Sequence, residues 1–449
     1  MDSKNKLFGT SGIRGLIGSE VNCELALNVA KSLGSYLNNK GKVVIGFDTR
    51  TSNQMLEQAI CAGLLESGID VLKLGMVPTP LVGYATMTLN ADAGIMITAS
   101  HNPSKYNGIK LWNKNGMAYT PEQEGIIENI YHNKKYDTVG WNNIGSISDV
   151  NEIKKDYLNH LLKMVNISSG LKVVIDCASG AGSELSPLVF RQAGCEVITL
   201  NSQVDGFFPG RNPEPNEANL KDLKKVVVAT GSDLGIAHDG DADRMITVDE
   251  KGNVSDFDKL LALISKKFGG TVVTTVDAGL CMDDSLNEVN GQVIRTKVGD
   301  VNVAEEIIKQ NASFGGEPSG TWLHPDFCMC PDGILSGLRI AEIVSKDGPL
   351  SKLLDDFPSY PNIRKKITCS KEAKIKVMEN MELLLKENFN DILSINNIDG
   401  VRLSFEDGSW VLVRPSGTED YIRITLEGKT TKRANDICDK CVNIIEKNL

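Results

Sequence analysis

Val43-Val44-Ile45-Gly46-Phe47, then a helical pattern over residues 53 to 67 closed by Gly68, then Ile69-Asp70-Val71-Leu72-Lys73-Leu74: this stretch decides the fold class. A short β-branched run bounded by polar residues reads as a buried strand, and the longer periodic pattern after it as a helix. A second strand follows directly, and residues 94 to 98 supply another. Strands alternating with helices predict an α/β domain.

The same rhythm restarts at Leu171-Lys172-Val173-Val174-Ile175-Asp176, which leads through Gly180 and Gly182 and a helix to Glu196-Val197-Ile198-Thr199-Leu200. It restarts again at Thr271-Val272-Val273-Thr274-Thr275-Val276. Three restarts predict three related α/β units, each of roughly 100 to 150 residues. The final stretch differs. After Pro358-Ser359-Tyr360-Pro361 come a Lys- and Glu-rich helix near 371 to 386, strand-like runs at 401 to 405, 410 to 414 and 422 to 425, and a closing helix near 431 to 447. The short turn Glu406-Asp407-Gly408-Ser409 between neighbouring strands marks an antiparallel α+β domain. Boundaries are expected near 150, 250 and 365.

A chain of 449 residues, 41% hydrophobic and 24% charged, has the length of three or four globular domains. Its formal net charge of -10 argues against a nucleic-acid partner but leaves room for a small phosphorylated one in a local cationic pocket. No apolar segment follows Met-Asp-Ser-Lys-Asn-Lys, and the longest apolar runs, such as residues 260 to 264, are far short of a bilayer span. No membrane association and a cytoplasmic location are expected. The ten cysteines are scattered, as buried reduced thiols would be. Cys328 with Cys330, and Cys438 with Cys441, could with His324 be read as zinc ligands. The one-residue gap in the first pair and the helical setting of the second favour packing.

Four loops carry chemistry. Thr98-Ala99-Ser100-His101-Asn102-Pro103 follows an apolar strand, where a serine is placed to be a nucleophile or phosphate carrier; a helix N-cap is the plain alternative. His238-Asp239-Gly240-Asp241-Ala242-Asp243-Arg244 brings three carboxylates to alternate positions, an oxygen-only set suited to Mg²⁺ or Ca²⁺. Glu250 even falls at the twelfth place of an EF-hand, but Arg244 stands where that loop needs glycine, and strand-like flanks replace the helices. Gly315-Gly316-Glu317-Pro318-Ser319-Gly320 offers an acceptor and a hydroxyl on a close-approaching backbone, suited to vicinal sugar hydroxyls or to a simple polar turn. Arg414-Pro415-Ser416-Gly417-Thr418-Glu419 combines a guanidinium, hydroxyls and backbone N–H groups into a phosphate cradle or a polar hairpin turn. Phe8-Gly9-Thr10-Ser11-Gly12-Ile13-Arg14-Gly15 lacks both the glycine spacing and the preceding strand of a dinucleotide loop.

Taken in order, FGTSGIRG, TASHNP, DGDADR, GGEPSG and RPSGTE resemble the α-D-phosphohexomutase family over essentially the whole chain. The resemblance implies three related α/β domains with mixed sheets and a C-terminal α+β domain of TATA-binding-protein-like topology, around a central cleft. It places the phosphoserine loop in 1–150, the metal-binding loop in 151–252, the sugar-recognition loop in 253–366 and the phosphate-binding loop in 367–449. By resemblance Ser100 is the phosphoserine, and Asp239, Asp241 and Asp243 hold Mg²⁺ with it. Lys110 assists proton transfer, with His101 able to stand in for a missing acid–base partner, while Arg14, Arg244 and Lys297 are cationic positions lining the same cleft, Lys297 on the substrate. Glu317 and Ser319 read the sugar hydroxyls, and Arg414, Ser416, Gly417 and Thr418 hold the non-reacting phosphate.

The implied reaction moves a phosphoryl group between O6 and O1 of a hexose phosphate through a hexose bisphosphate, which also serves as activator. The implied assembly is a monomer or homodimer. The loop forms look like the archaeal-type phosphoglucosamine mutase branch, so glucosamine 6-phosphate to glucosamine 1-phosphate is expected, with glucose and mannose phosphates as alternatives. Two positions depart from the family pattern: Thr321 stands where many relatives carry an acid–base histidine, and Asp420 where many carry proline. Readings of another class are a phosphatase with an aspartate nucleophile in the Asp239 cluster, and a non-catalytic sugar-phosphate binding protein.

Overall fold

The computed structural model describes residues 6–9, 11–416 and 420–449, so Gly417 and Thr418 of the phosphate loop lie outside the described residues. The first sheet contains β1 (Ile13–Leu16), β2 (Lys42–Phe47), β3 (Asp70–Met76), β4 (Ala93–Ile97), β5 (Tyr106–Asn113) and β6 (Ile147–Asp149), in the order β1-β5-β4-β2-β3-β6. β2 runs parallel to β3 and β4, whereas β5 is antiparallel to both β4 and β1, so the sheet is mixed. The central strands read as unbroken apolar runs because helices cover both faces. All five residues of β4 are buried, and Val43, Val44 and Ile45 are inaccessible. The strand inside the Phe8–Gly15 motif was not expected. Its pairing with β5 is close: a side chain on Gly12 would stand 2.6 Å from the Ile109 carbonyl oxygen.

The second sheet has the order β10-β9-β7-β8, formed by β7 (Lys172–Asp176), β8 (Glu196–Leu200), β9 (Leu234–His238) and β10 (Met245–Asp249). β7 is parallel to β8 and β9, and β10 folds back antiparallel on β9. The three aspartates therefore sit on the turn of a β-hairpin. Two compact bodies divide the chain. One runs to Phe257 and takes in Ser319–Leu354; the other comprises Asp258–Pro318 and Asp355–Leu449.

In the second body β11 (Thr271–Thr275) lies parallel between β12 (Gln292–Thr296) and β13 (Phe314–Gly316). Trp322–Leu323 (β14) belongs to the first body. The C-terminal sheet is antiparallel throughout, in the order β15-β19-β18-β17-β16, with β15 (Asn362–Thr368), β16 (Ile392–Asn396), β17 (Val401–Phe405), β18 (Trp410–Pro415) and β19 (Tyr421–Glu427). Helices Lys371–Asn388 and Thr431–Asn448 share one core with it, built on Met381, Leu403, Phe405, Val413, Ile424 and Ile437. The charged edge strand β15 escaped the sequence reading because Ile367 is its one buried residue. Three mixed or parallel α/β sheets followed by an antiparallel α+β domain give the fold class the motifs implied. Among the described residues no helix is long and apolar enough to cross a membrane.

Candidate active site

Ser100 lies just past β4 in the left-handed region, at φ +50°. A non-glycine residue is held there only when its surroundings over-determine it. Its backbone N–H donates to Thr98 Oγ1 at 2.8 Å, and its hydroxyl donates to Asp239 Oδ2 at 2.6 Å. His101 Nδ1 is 3.3 Å from the same hydroxyl, and its Nε2 is 3.5 Å from Glu214 Oε2. Burial, then Arg244 and Arg14, pushes the His101 imidazole well below its usual range, so the ring is neutral. Gly240 is required for this juxtaposition: a side chain there would stand 2.5 Å from the Ser100 carbonyl oxygen.

The β9–β10 turn brings one carboxylate oxygen each from Asp239, Asp241 and Asp243 within 4.8 Å of one another, all buried. Asp241 Oδ2 accepts from Thr79 Oγ1 at 2.6 Å and from Lys110 Nζ at 3.1 Å; Asp243 Oδ2 accepts from Lys110 Nζ at 2.7 Å. Burial opposes the Lys110 charge, but Asp241 and Asp243 outweigh it and hold the ammonium above its ordinary range. Burial pushes the Asp239 carboxyl up, and repulsion from Asp243 and Asp241 adds to it. Asp241 falls below the carboxylate range despite its burial, because Lys110 and Thr79 favour its charged form.

Asp241 Oδ1 and Asp243 Oδ1 are buried and have no hydrogen-bond partner among the described residues. Three converging carboxylates, of which Asp239 touches the serine hydroxyl while Asp241 and Asp243 each keep one oxygen without a hydrogen bond, fit a hard divalent cation such as Mg²⁺. Arg14 Nη1 donates to Asn102 Oδ1 at 3.1 Å, and Arg244 N–H donates to Asp239 Oδ1 at 3.2 Å. The expected residues Ser100, His101, Arg14, Lys110, Arg244 and the three aspartates thus all lie in the first body, about the Ser100 loop and the aspartate turn. Thr321, in the place of the family histidine, bridges to Arg244 through the backbone, and its Oγ1 is 3.2 Å from Ser319 Oγ.

In the second body the Gly299 N–H donates to Glu317 Oε1 at 2.6 Å, and Lys297 is exposed on the same loop after β12. Asp399 Oδ2 accepts from Arg414 Nη1 at 2.9 Å and from the Val298 N–H at 3.2 Å, tying that loop to the phosphate loop. Lys374 Nζ donates to the Ser416 carbonyl at 2.9 Å and stands 3.9 Å from Asp420, the residue that replaces proline. Sequence reading missed Arg423 and Lys366. Strand register sets Arg414 opposite Arg423 and Arg423 opposite Lys366, a row of three cations on one face of the sheet. Like charges directly opposite repel, so such a row favours an anion over it. The alternation of β19 was the available signal.

Residues 5–138, 155–252, 256–360 and 366–444 match, in order, the families described as Phosphoglucomutase/phosphomannomutase alpha/beta/alpha domains I, II and III and the C-terminal domain. A probable phosphoglucosamine mutase of Methanobrevibacter smithii is 72% identical over 444 residues, covering 99% of each chain. The phosphoglucosamine mutase of Methanococcus maripaludis is 46% identical over 454 residues, again 99% of each. A phosphoglucomutase/phosphomannomutase family protein of Burkholderia thailandensis has a similar solved structure, with a TM-score of 0.90 at 26% identity over 99% of this chain and 98% of its own.

Proposed function

The chain belongs to the phosphoglucomutase/phosphomannomutase family, and from that premise we propose that it is an intramolecular phosphotransferase interconverting glucosamine 6-phosphate and glucosamine 1-phosphate through phospho-Ser100. The single observation that carries this reading is the Ser100 hydroxyl 2.6 Å from Asp239, inside a three-carboxylate cluster that also holds Lys110. The choice of amino sugar rests on the relatives named phosphoglucosamine mutase.

Phosphoryl transfer depends on positioning and charge neutralisation more than on covalent chemistry by the protein. Asp239, Asp241 and Asp243, with an oxygen on Ser100, would hold Mg²⁺, which supplies neutralisation of the phosphoryl oxygens. In the forward reaction the bond from phosphorus to Ser100 Oγ breaks, a bond to sugar O1 forms, and the proton lost from O1 is balanced by the one Ser100 Oγ takes up. The resulting 1,6-bisphosphate then returns its O6 phosphate to Ser100. On that return the neutral His101 Nδ1, 3.3 Å from the Ser100 hydroxyl, is placed to accept its proton. Lys110, Arg14 and Arg244 contribute positive charge. Glu317 and Ser319 are assigned to the sugar hydroxyls, Lys297 to substrate charge, and Arg414, Ser416, Gly417 and Thr418, supported by Arg423, to the phosphate that does not react. The same reading assigns 1–150 to the phosphoserine domain, 151–252 to the metal domain, 253–366 to the sugar domain and 367–449 to the phosphate domain.

The test is to incubate the protein with Mg²⁺ and radiolabelled glucosamine 1,6-bisphosphate and map the label. Acid-stable label on Ser100, with turnover abolished in Ser100→Ala while its circular dichroism is unchanged, is the expected result. An acid-labile acyl phosphate on Asp239, or full activity in Ser100→Ala, would overturn it. Side-by-side assays with glucosamine, glucose and mannose 6-phosphates should give the highest kcat/KM for glucosamine; a higher value for either other sugar would reassign the substrate.

A further inference from the structure

Ser100 is held at both ends of its peptide unit by one buried ion pair that no loop motif contains. Asp48 and Arg50 lie just beyond β2, with both side chains fully inaccessible to solvent and Arg50 Nε 3.0 Å from Asp48 Oδ2. A guanidinium carries five N–H donors. The other four meet backbone carbonyls of the serine loop: Nη1 donates to Pro103 O at 2.7 Å and Tyr106 O at 2.8 Å, and Nη2 to Ser100 O at 3.0 Å and Asn102 O at 2.6 Å. All five donors are satisfied, one by Asp48 and four by carbonyls between Ser100 and Tyr106.

The carboxylate closes the circuit. Asp48 Oδ2 also accepts from Thr98 Oγ1 at 2.7 Å, and Thr98 Oγ1 accepts from the Ser100 N–H at 2.8 Å. The Phe208 ring covers the guanidinium carbon at 5.1 Å and excludes water from its face. A buried ion pair is a poor general stabiliser, because desolvation offsets much of its attraction. Here its hydrogen bonds converge on the one residue that sits at positive φ with its hydroxyl directed at the aspartate cluster.

We propose that the Asp48–Arg50 pair, acting through Thr98, is the positioning device that fixes Ser100 Oγ for phosphoryl transfer. Arg50 touches no reacting atom; it acts on the Ser100 backbone. Lysine in its place offers a compact ammonium with three donors and cannot span four carbonyls and a carboxylate. The proposal rests on the reading of Ser100 as the phosphoryl carrier.

The test compares wild type, Arg50→Lys and Thr98→Val, the last removing one hydroxyl at nearly constant shape. Melting temperature, the fraction of Ser100 carrying acid-stable label, kcat per labelled site and KM are measured for each. A displacement of about 1 Å at a reacting atom costs roughly 100-fold in rate. The expected result is kcat per labelled site reduced about 100-fold in Arg50→Lys and about 10-fold in Thr98→Val, with KM within twofold of wild type. A role in stability alone would lower the melting temperature or the labelled fraction and leave kcat per labelled site unchanged, and that result would overturn the proposal. If Arg50→Lys fails to fold, the kcat of Thr98→Val decides. Failure of the wild type to take label on Ser100 would remove the carrier reading and this proposal together, a result distinct from normal kcat in the variants.

Discussion

For the single residue, Lys110 is the buried cation paired with the aspartate cluster. Its ammonium lies within 3.1 Å of both Asp241 and Asp243, and all three side chains are buried. Lys110→Met removes the ammonium those two carboxylates share, and breaking a buried pair in this way costs about 3–5 kcal/mol. The variant should melt well below wild type in EDTA, and Mg²⁺ should raise its melting temperature more than it raises that of wild type. An equal Mg²⁺-induced shift in the two proteins would show that Lys110 and the ion do not share the same charge. Ser100 and the aspartates could be read from sequence because each lies in a short contiguous motif, and Lys110 through the resemblance to the family. Thr79 and Arg50 could not. Thr79 meets Asp241 across 162 positions and Arg50 meets Ser100 across 50, and no local pattern encodes such separations.

At the scale of the element, the helix Gly333–Asp347 starts against the aspartate turn, with the Gly333 N–H donating to Ala242 O at 3.1 Å. Asp332 caps it, accepting from Ile334 N and Leu335 N at 2.9 Å each and from the Tyr157 hydroxyl at 2.8 Å. Burial nevertheless raises the Asp332 carboxyl to about 6, above its ordinary 3.8. The folded chain therefore holds a proton there that the unfolded chain has lost, and stability falls as pH rises through the window from about 4 to about 6. Asp332→Asn keeps an N-cap acceptor and removes the titration. Between pH 4 and pH 6.5 the stability of wild type should fall relative to the variant by about 2–3 kcal/mol, at up to about 1.4 kcal/mol per pH unit. Denaturant titrations at several pH values read this directly; parallel stability curves for the two proteins would refute it.

At the scale of the molecule, ion binding adds to the folding free energy of the body that contains the three aspartates. A ligand that binds only the folded state at 100 times its Kd adds about 2.7 kcal/mol. Calorimetry should show an upward shift in the wild-type transition on replacing EDTA with Mg²⁺, and loss of that shift in Asp241→Ala and Asp243→Ala. A full shift retained in both variants would place the ion elsewhere. The α/β rhythm, the antiparallel final domain and the identity of the chemistry-bearing loops are legible in the chain alone, because strand periodicity and motif composition are local properties, readable within about ten residues. The contact of Ser100 with Asp239, the pairing of Lys110 with two aspartates and the cation row formed by Arg414, Arg423 and Lys366 emerge with the folded structure. Those depend on strand order and register, which are fixed by burial of whole sheet faces and not by any single stretch of chain.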